Sequence, residues 1–252
     1  MTSILEVDHV SKSFGGVTAV NDVSISVAPA SIVAVIGPNG AGKTSLFNVV
    51  TGFEQPTSGR IRFDGLDVTA MESWQVAQLG LVRTFQTPVG FPALSVWENL
   101  MIAGSSHRDE TLIQALRGSW RPAELETHNR ARSLLEDLEL WEARDVVISD
   151  LPPGDVKLVD FARQLMVRPK MLLLDEPASG VDPGAIERLA GLIARVRDRG
   201  VTVLVIDHNI GFVVKIADLI HVMALGRVVA SGPPAAIVND ANVIEIYLGK
   251  PA

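Results

Sequence analysis

Apolar and polar positions alternate in short stretches over the first third of the chain, take up a helical spacing in the middle, and return as solid apolar runs towards the end. From Ile4 to Val27, β-branched segments are separated by the polar stretch Lys12 to Gly16 and by Asn21-Asp22, which predicts an antiparallel meander. Ile32 to Ile36 is uninterruptedly apolar and predicts a buried strand, and Thr44 to Val50 predicts the first turns of a helix. Gly59 to Val68 predicts a strand pair about Asp64-Gly65, a favoured hairpin dipeptide. Beyond Gln86 the spacing predicts a short helix from Val96 to Ile102, a long amphipathic one from Glu124 to Leu140 and a third from Val156 to Met166, with Gly104 to Pro122 a polar connection. Met171 to Leu174 and Val201 to Ile206 are apolar runs that predict buried strands. Between them a helix runs to Arg199, with Asp182 at its cap, Pro183 at its first position and Gly200 closing it. Strand, helix and strand in that order make a parallel α/β unit, whose ligands belong at the carboxyl ends of the strands. The chain closes with a strand pair over Leu219 to Ala230 and short helices at Pro234 to Val238 and Asn242 to Leu248.

The pattern reads as one α/β domain in two parts. Residues 1–86 and 167–252 form the core, with an antiparallel β subdomain at the amino end, and 87–166 form an inserted helical subdomain. A chain of 252 residues with 47% hydrophobic and 20% charged residues can bury a substantial interior. The net charge of −7 and the lack of a Lys/Arg stripe argue against a nucleic-acid binder. Without cysteine there is no disulfide, thiolate metal site or cysteine nucleophile. No apolar segment reaches the ~18 residues of a membrane span, and Met1 to Val10 carries Glu6 and Asp8 rather than a signal peptide's basic and apolar regions. A cytoplasmic location is expected.

The chemistry centres on Gly37-Pro38-Asn39-Gly40-Ala41-Gly42-Lys43-Thr44, which has the spacing of a phosphate-binding loop between a strand and a helix. Glycines at 37, 40 and 42 let successive N–H groups turn inward around a polyphosphate, and the helix amino terminus adds partial positive charge. Lys43 can reach the outer phosphates, and the Thr44 hydroxyl can ligate a bridging Mg2+. Asp175, after four apolar residues, can hold or orient that ion, and Glu176 can polarise the attacking water. His208 follows the next strand and either meets a γ-phosphate or is structural. Phe14, ahead of two glycines, either stacks on a nucleotide base or packs on the sheet.

Phosphate loop, Gln86, Asp175-Glu176, Ser179-Gly180-Val181-Asp182 and His208 occur in the order seen in ATP-binding-cassette ATPases, and the chain resembles that superfamily over nearly its full length. The resemblance implies a P-loop core with ATP and Mg2+ as ligands. It makes Phe14 the adenine-stacking position and extends the nucleotide contacts to Ser45. It makes Gln86 a loop that senses nucleotide, metal and transmembrane partner, Glu176 the catalytic base, His208 the switch histidine and Asp182 the dimer-communication loop. Phe91-Pro92-Ala93-Leu94-Ser95-Val96-Trp97-Glu98-Asn99-Leu100, the polar insertion after it and Val243-Ile244-Glu245-Ile246-Tyr247-Leu248-Gly249 are similar to the ATP-binding subunits of branched-chain amino-acid importers. Urea-import and lipopolysaccharide-export ATPases share parts of that pattern, and soluble cassette proteins are the remaining alternative. The likeness implies a second ATP-binding subunit, two transmembrane permeases, an indirect substrate-binding protein, and a peripheral position at the cytoplasmic face of the inner membrane.

One departure bears on mechanism. The superfamily signature Leu-Ser-Gly-Gly-Gln falls at Leu151-Pro152-Pro153-Gly154-Asp155, keeping the leucine and Gly154. The serine hydroxyl that would reach the opposite subunit's γ-phosphate is gone, and Pro153 has no N–H to donate. Asp155 is expected to cap the following helix. A weakened signature favours a heterodimer, in which a partner carries the fuller one. Asn209 stands where this subgroup often has aspartate.

Overall fold

A computed structural model describes residues 3–84, 90–105 and 120–248. By its internal contacts the chain divides into two compact units, Met1–Gln86 with Lys170–Ser179 and Ile193–Ala252, and Thr87–Pro169 with Gly180–Leu192. The stretch Gly180–Leu192 thus groups with the helices, although it follows the strand that ends at Asp175.

The first unit holds two sheets. The smaller has the strand order β2-β1-β4-β5, with β1 Leu5–Phe14, β2 Val17–Val27, β4 Ser58–Phe63 and β5 Leu66–Asp67 all antiparallel. The meander is simpler than expected, because Asn21-Asp22 makes no turn and β2 runs through it. Between the pairs Val10–Val23 and Lys12–Val20, β2 carries one residue more than β1. Asp22 absorbs the extra residue as a bulge at φ 57°, with its N–H donating to Ser11 Oγ at 2.9 Å. Asp64 and Gly65, at φ 49° and 78°, form the tight β4–β5 turn that this dipeptide predicts.

The larger sheet has the order β10-β9-β3-β8-β7-β6. Its strands are β3 Ile32–Ile36, β6 Leu81–Arg83, β7 Met171–Asp175, β8 Thr202–Ile206, β9 Leu219–Ala224 and β10 Arg227–Gly232. All but β10 are parallel. Every residue of β3, β7 and β8 is buried, which is why these strands read as solid apolar runs. Because β3, β8 and β7 are neighbours, their carboxyl ends bring the phosphate loop, His208 and Asp175-Glu176 to one edge of the sheet. Helix α1, Lys43–Val50, inserts Leu46 and Phe47 into the core shared by the two sheets, against Leu5, Val35, Ile61 and Phe63.

The second unit contains α3 Val96–Gly104, α4 Trp120–Asp137 and α5 Pro153–Met166. Ser95 and Glu98 make a reciprocal capping box at the start of α3. Asn99, fully buried, accepts from Phe91 N at 2.9 Å and donates through Nδ2 to the carbonyls of Phe91 and Ser95, tying the preceding loop to the helix. Helix α4 already includes Trp120, four residues before the expected Glu124, and ends short of Leu140; the expected connection is thus helical at both ends, at Gly104 and over 120–122, and 106–119 lie outside the described residues. Helix α6, Pro183–Asp198, starts as predicted, with Ala185 N donating to Asp182 Oδ1 at 3.0 Å. Two short helices went unassigned in the sequence, α2 Ser73–Gln78 and α7 Ile210–Ile216, and α8 Pro234–Ile237 with α9 Ala241–Leu248 close the chain. Among the described residues no helix is long and apolar enough to cross a membrane.

Candidate functional site

The loop between β3 and α1 is fixed by its glycines in two ways. Gly37 and Gly42, at φ 152° and 96°, pack so closely that an added Cβ would lie 2.1 Å from the carbonyl oxygens of Met223 and Ala19 respectively. Gly40, at φ 79°, faces open space and needs only the conformation. Pro38, Asn39 and Ala41 complete the turn, in which Ala41 N donates to Pro38 O. Lys43 is buried, and its Nζ donates to Gly37 O at 2.8 Å and to Pro38 O at 3.0 Å. Burial pushes its pKa down, partly offset by the nearby carboxylates of Glu176 and Asp175. Thr44 is exposed at the start of α1, followed by half-buried Ser45.

Asp175 closes β7 and is buried, with Oδ2 accepting from Arg83 Nη2 at 2.7 Å. Glu176 follows in the left-handed region at φ 49°, held by its N–H donating to Ile206 O at 2.8 Å. That conformation turns the chain off the strand end. His208 is exposed, with Nδ1 3.7 Å from Glu176 Oε2, so the structure brings these two predicted residues together. Phe14, 44% exposed at the end of β1, has not packed into the core, and Lys12 Nζ sits 4.9 Å from its ring centroid. Gln86 lies outside the described residues.

Gly154 and Asp182 belong to the other unit and face each other there. A Cβ on residue 154 would come within 2.7 Å of Asp182 Oδ2. Asp155 does not cap α5. The helix begins at Pro153 instead, placing Asp155 in its first turn, where it accepts from Arg188 Nη2 at 2.6 Å.

Three contributors were missed in the sequence. Arg83 and Asn48 join the site through long-range bonds that no local spacing announces. Asp207, fully buried, accepts from Ala178 N at 2.9 Å and Asn209 N at 2.8 Å, fixing the loop after Glu176 against the one carrying His208. Its position at a strand's carboxyl end was the available signal.

A parallel sheet whose phosphate loop, carboxylate pair and histidine share one strand edge, with a separate helical unit, defines a P-loop ATPase of the ATP-binding-cassette type. A family model described as "ABC transporter" matches residues 20–179, and one described as "Branched-chain amino acid ATP-binding cassette transporter" matches 227–252. The high-affinity branched-chain amino acid transport ATP-binding protein BraF of Pseudomonas aeruginosa is 39% identical, covering 98% of this chain and 98% of its own. The corresponding LivG of Escherichia coli is 38% identical over the same shares. Among solved structures, an ATP-binding cassette of an ABC transporter in its ADP conformation is 35% identical with a TM-score of 0.85, covering 99% of this chain and 100% of its own. A nucleotide-free cassette of an ABC transporter is also 35% identical, with a TM-score of 0.84 and the same coverage. The chain belongs to the ABC transporter family, as an ATP-binding cassette ATPase.

Proposed function

We propose that this chain is the ATP-hydrolysing subunit that powers import of branched-chain amino acids or related polar solutes through two permease subunits at the cytoplasmic face of the membrane. What carries the reading is likeness over 98% of the chain to ATP-binding proteins of branched-chain amino acid transport, together with the phosphate loop and carboxylate pair at one sheet edge. In this reading residues 1–86 and 167–252 bind nucleotide, with Phe14 against the adenine and Gly37 to Ser45 around the phosphates. Residues 87–166 present Gly154 towards a second subunit's nucleotide, and Asp182 links the two subunits.

The oxygen donors Thr44 and Asp175 suit Mg2+, a hard cation that takes few protein ligands and fills its shell with phosphate and water. Among the described residues no three acidic or histidine side chains cluster around such an ion, and in this reading nucleotide oxygens and water complete its shell. Bound there with Gln86 as a further ligand, Mg2+ would neutralise charge on the phosphates. Glu176 takes the proton of the attacking water as general base, and His208, 3.7 Å from it, orients that water and the γ-phosphate.

Pro152-Pro153-Gly154-Asp155 supports a heterodimer, since each composite site needs the other subunit's signature and this one lacks its serine donor. The test is uptake of radiolabelled leucine, isoleucine and valine in the source organism with the gene deleted and then restored. Uptake should fall and recover with wild type but not with Glu176→Gln. Unchanged uptake of all three, with loss of urea uptake instead, would overturn the solute assignment.

A further inference from the structure

Arg83 sits at the end of β6, next to β7, with a side chain as buried as that of Asp175. Its guanidinium reaches two elements: Nη2 donates to Asp175 Oδ2 at 2.7 Å and Nη1 to Asn48 Oδ1 on α1, also at 2.7 Å. The rings of Phe47 and Phe53 flank it, at 5.7 and 5.9 Å from Cζ. Asn48 is itself held, its Nδ2 donating to Glu54 Oε1 at 3.2 Å, and Glu54 Oε2 lies 3.3 Å from Lys12 Nζ. A chain of part-buried polar contacts therefore connects the helix of the phosphate loop with the aspartate at the end of β7. A guanidinium forked between two acceptors fixes both directions at once, which an ammonium cannot do.

We propose that Arg83 is a positioning residue for Asp175. It holds Oδ2 against the helix that carries Lys43 and Thr44, leaving Oδ1 as the oxygen not engaged by Arg83, so that the carboxylate and the Thr44 hydroxyl keep one spacing. The inference rests on the reading of Asp175 and Thr44 as the metal side of the site. Partners that orient a ligating carboxylate act on metal affinity, not on contacts elsewhere along the nucleotide.

The test is ADP binding to the full chain, measured calorimetrically in excess Mg2+ and in EDTA, so that the ratio of the two affinities isolates the metal's contribution. Arg83→Lys keeps charge but loses the fork, and should shrink that ratio about tenfold. Asn48→Ala leaves Asp175 and Arg83 in place but unanchors the guanidinium, and should shrink it in the same direction; it also serves if Arg83→Lys folds poorly. Asp175→Asn is the reference. If Asp175→Asn abolishes the Mg2+ gain while Arg83→Lys and Asn48→Ala keep it, with or without a lower melting temperature, Arg83 is structural and the inference is wrong. If Asp175→Asn itself keeps the gain, the metal assignment fails and the inference with it.

Discussion

On the proposed reading, nucleotide binding turns on Lys43. Its ammonium is buried and satisfied by two loop carbonyls, so replacing it removes a phosphate partner without removing core packing. A hydrogen bond to a charged group contributes about 1.5–3 kcal/mol. Lys43→Ala should therefore weaken ATP binding by at least about tenfold while melting temperature holds within a few degrees; calorimetry showing wild-type affinity would remove Lys43 from the site. If the exposed Phe14 ring stacks on a base, Phe14→Ala should weaken binding by about 1–3 kcal/mol, for ATP and GTP alike. Unchanged affinity with lower stability would assign the ring to packing. At this scale the sequence was informative where chemistry and local spacing coincide. The phosphate loop, Asp175 and Glu176 stand in motifs, whereas Arg83 pairs with Asp175 across 92 positions and Asp207 with Ala178 across 29, distances over which no periodicity carries information.

Elements were legible in proportion to their burial. Strands β3, β7 and β8 are covered on both faces and so appear as apolar runs, but β6 has only three residues and α2 only six, too few for a period to show. Turn residues misled where a bulge could absorb them, as at Asp22. The seating of the phosphate loop gives a contrast between two glycines. Gly42→Ala places a Cβ 2.1 Å from Ala19 O, so β2 or the loop must move, with a loss of more than about 2 kcal/mol in chemical denaturation. Gly40→Ala meets nothing within 4 Å and should lose only the about 1–2 kcal/mol of a left-handed alanine. Equal losses would show that packing against β2 does not matter. On β9, His221 is buried with Nδ1 2.7 Å from Ser231 Oγ, and Nε2 has no partner among the described residues. Burial pushes its pKa below the ordinary 6.5, so the unfolded chain takes up the proton first as pH falls. The stability of the neutral imidazole is present above about pH 6.5 and is lost as pH falls from there towards the folded-state pKa, by at most about 1.4 kcal/mol per pH unit. His221→Gln should flatten the melting-temperature profile between about pH 7 and 5. An unaltered slope would place the acid sensitivity elsewhere.

For the whole molecule the consequence is a division of labour between units. Phosphate loop, Asp175, Glu176 and His208 belong to one, and Gly154 with Asp182 to the other. The Asp155–Arg188 pair ties the start of α5 to α6. If a partner subunit supplies the fuller signature, the isolated chain should turn over ATP slowly and mixing the two should raise activity more than additively. Pro152→Ser with Pro153→Gly should then speed hydrolysis at the partner's loop, with this chain's own site silenced by Glu176→Gln. Robust activity of the isolated chain, indifferent to those substitutions, would show the prolines to be harmless. If the edge formed by β3, β8 and β7 is an ATP-hydrolysing centre with Glu176 as its base, ATP affinity and turnover of Glu176→Gln, measured in one preparation with its partner, must separate. ATP should bind with near wild-type affinity while turnover at this site falls by about 10²–10⁴. Undiminished turnover at that site would remove Glu176 from the role of base.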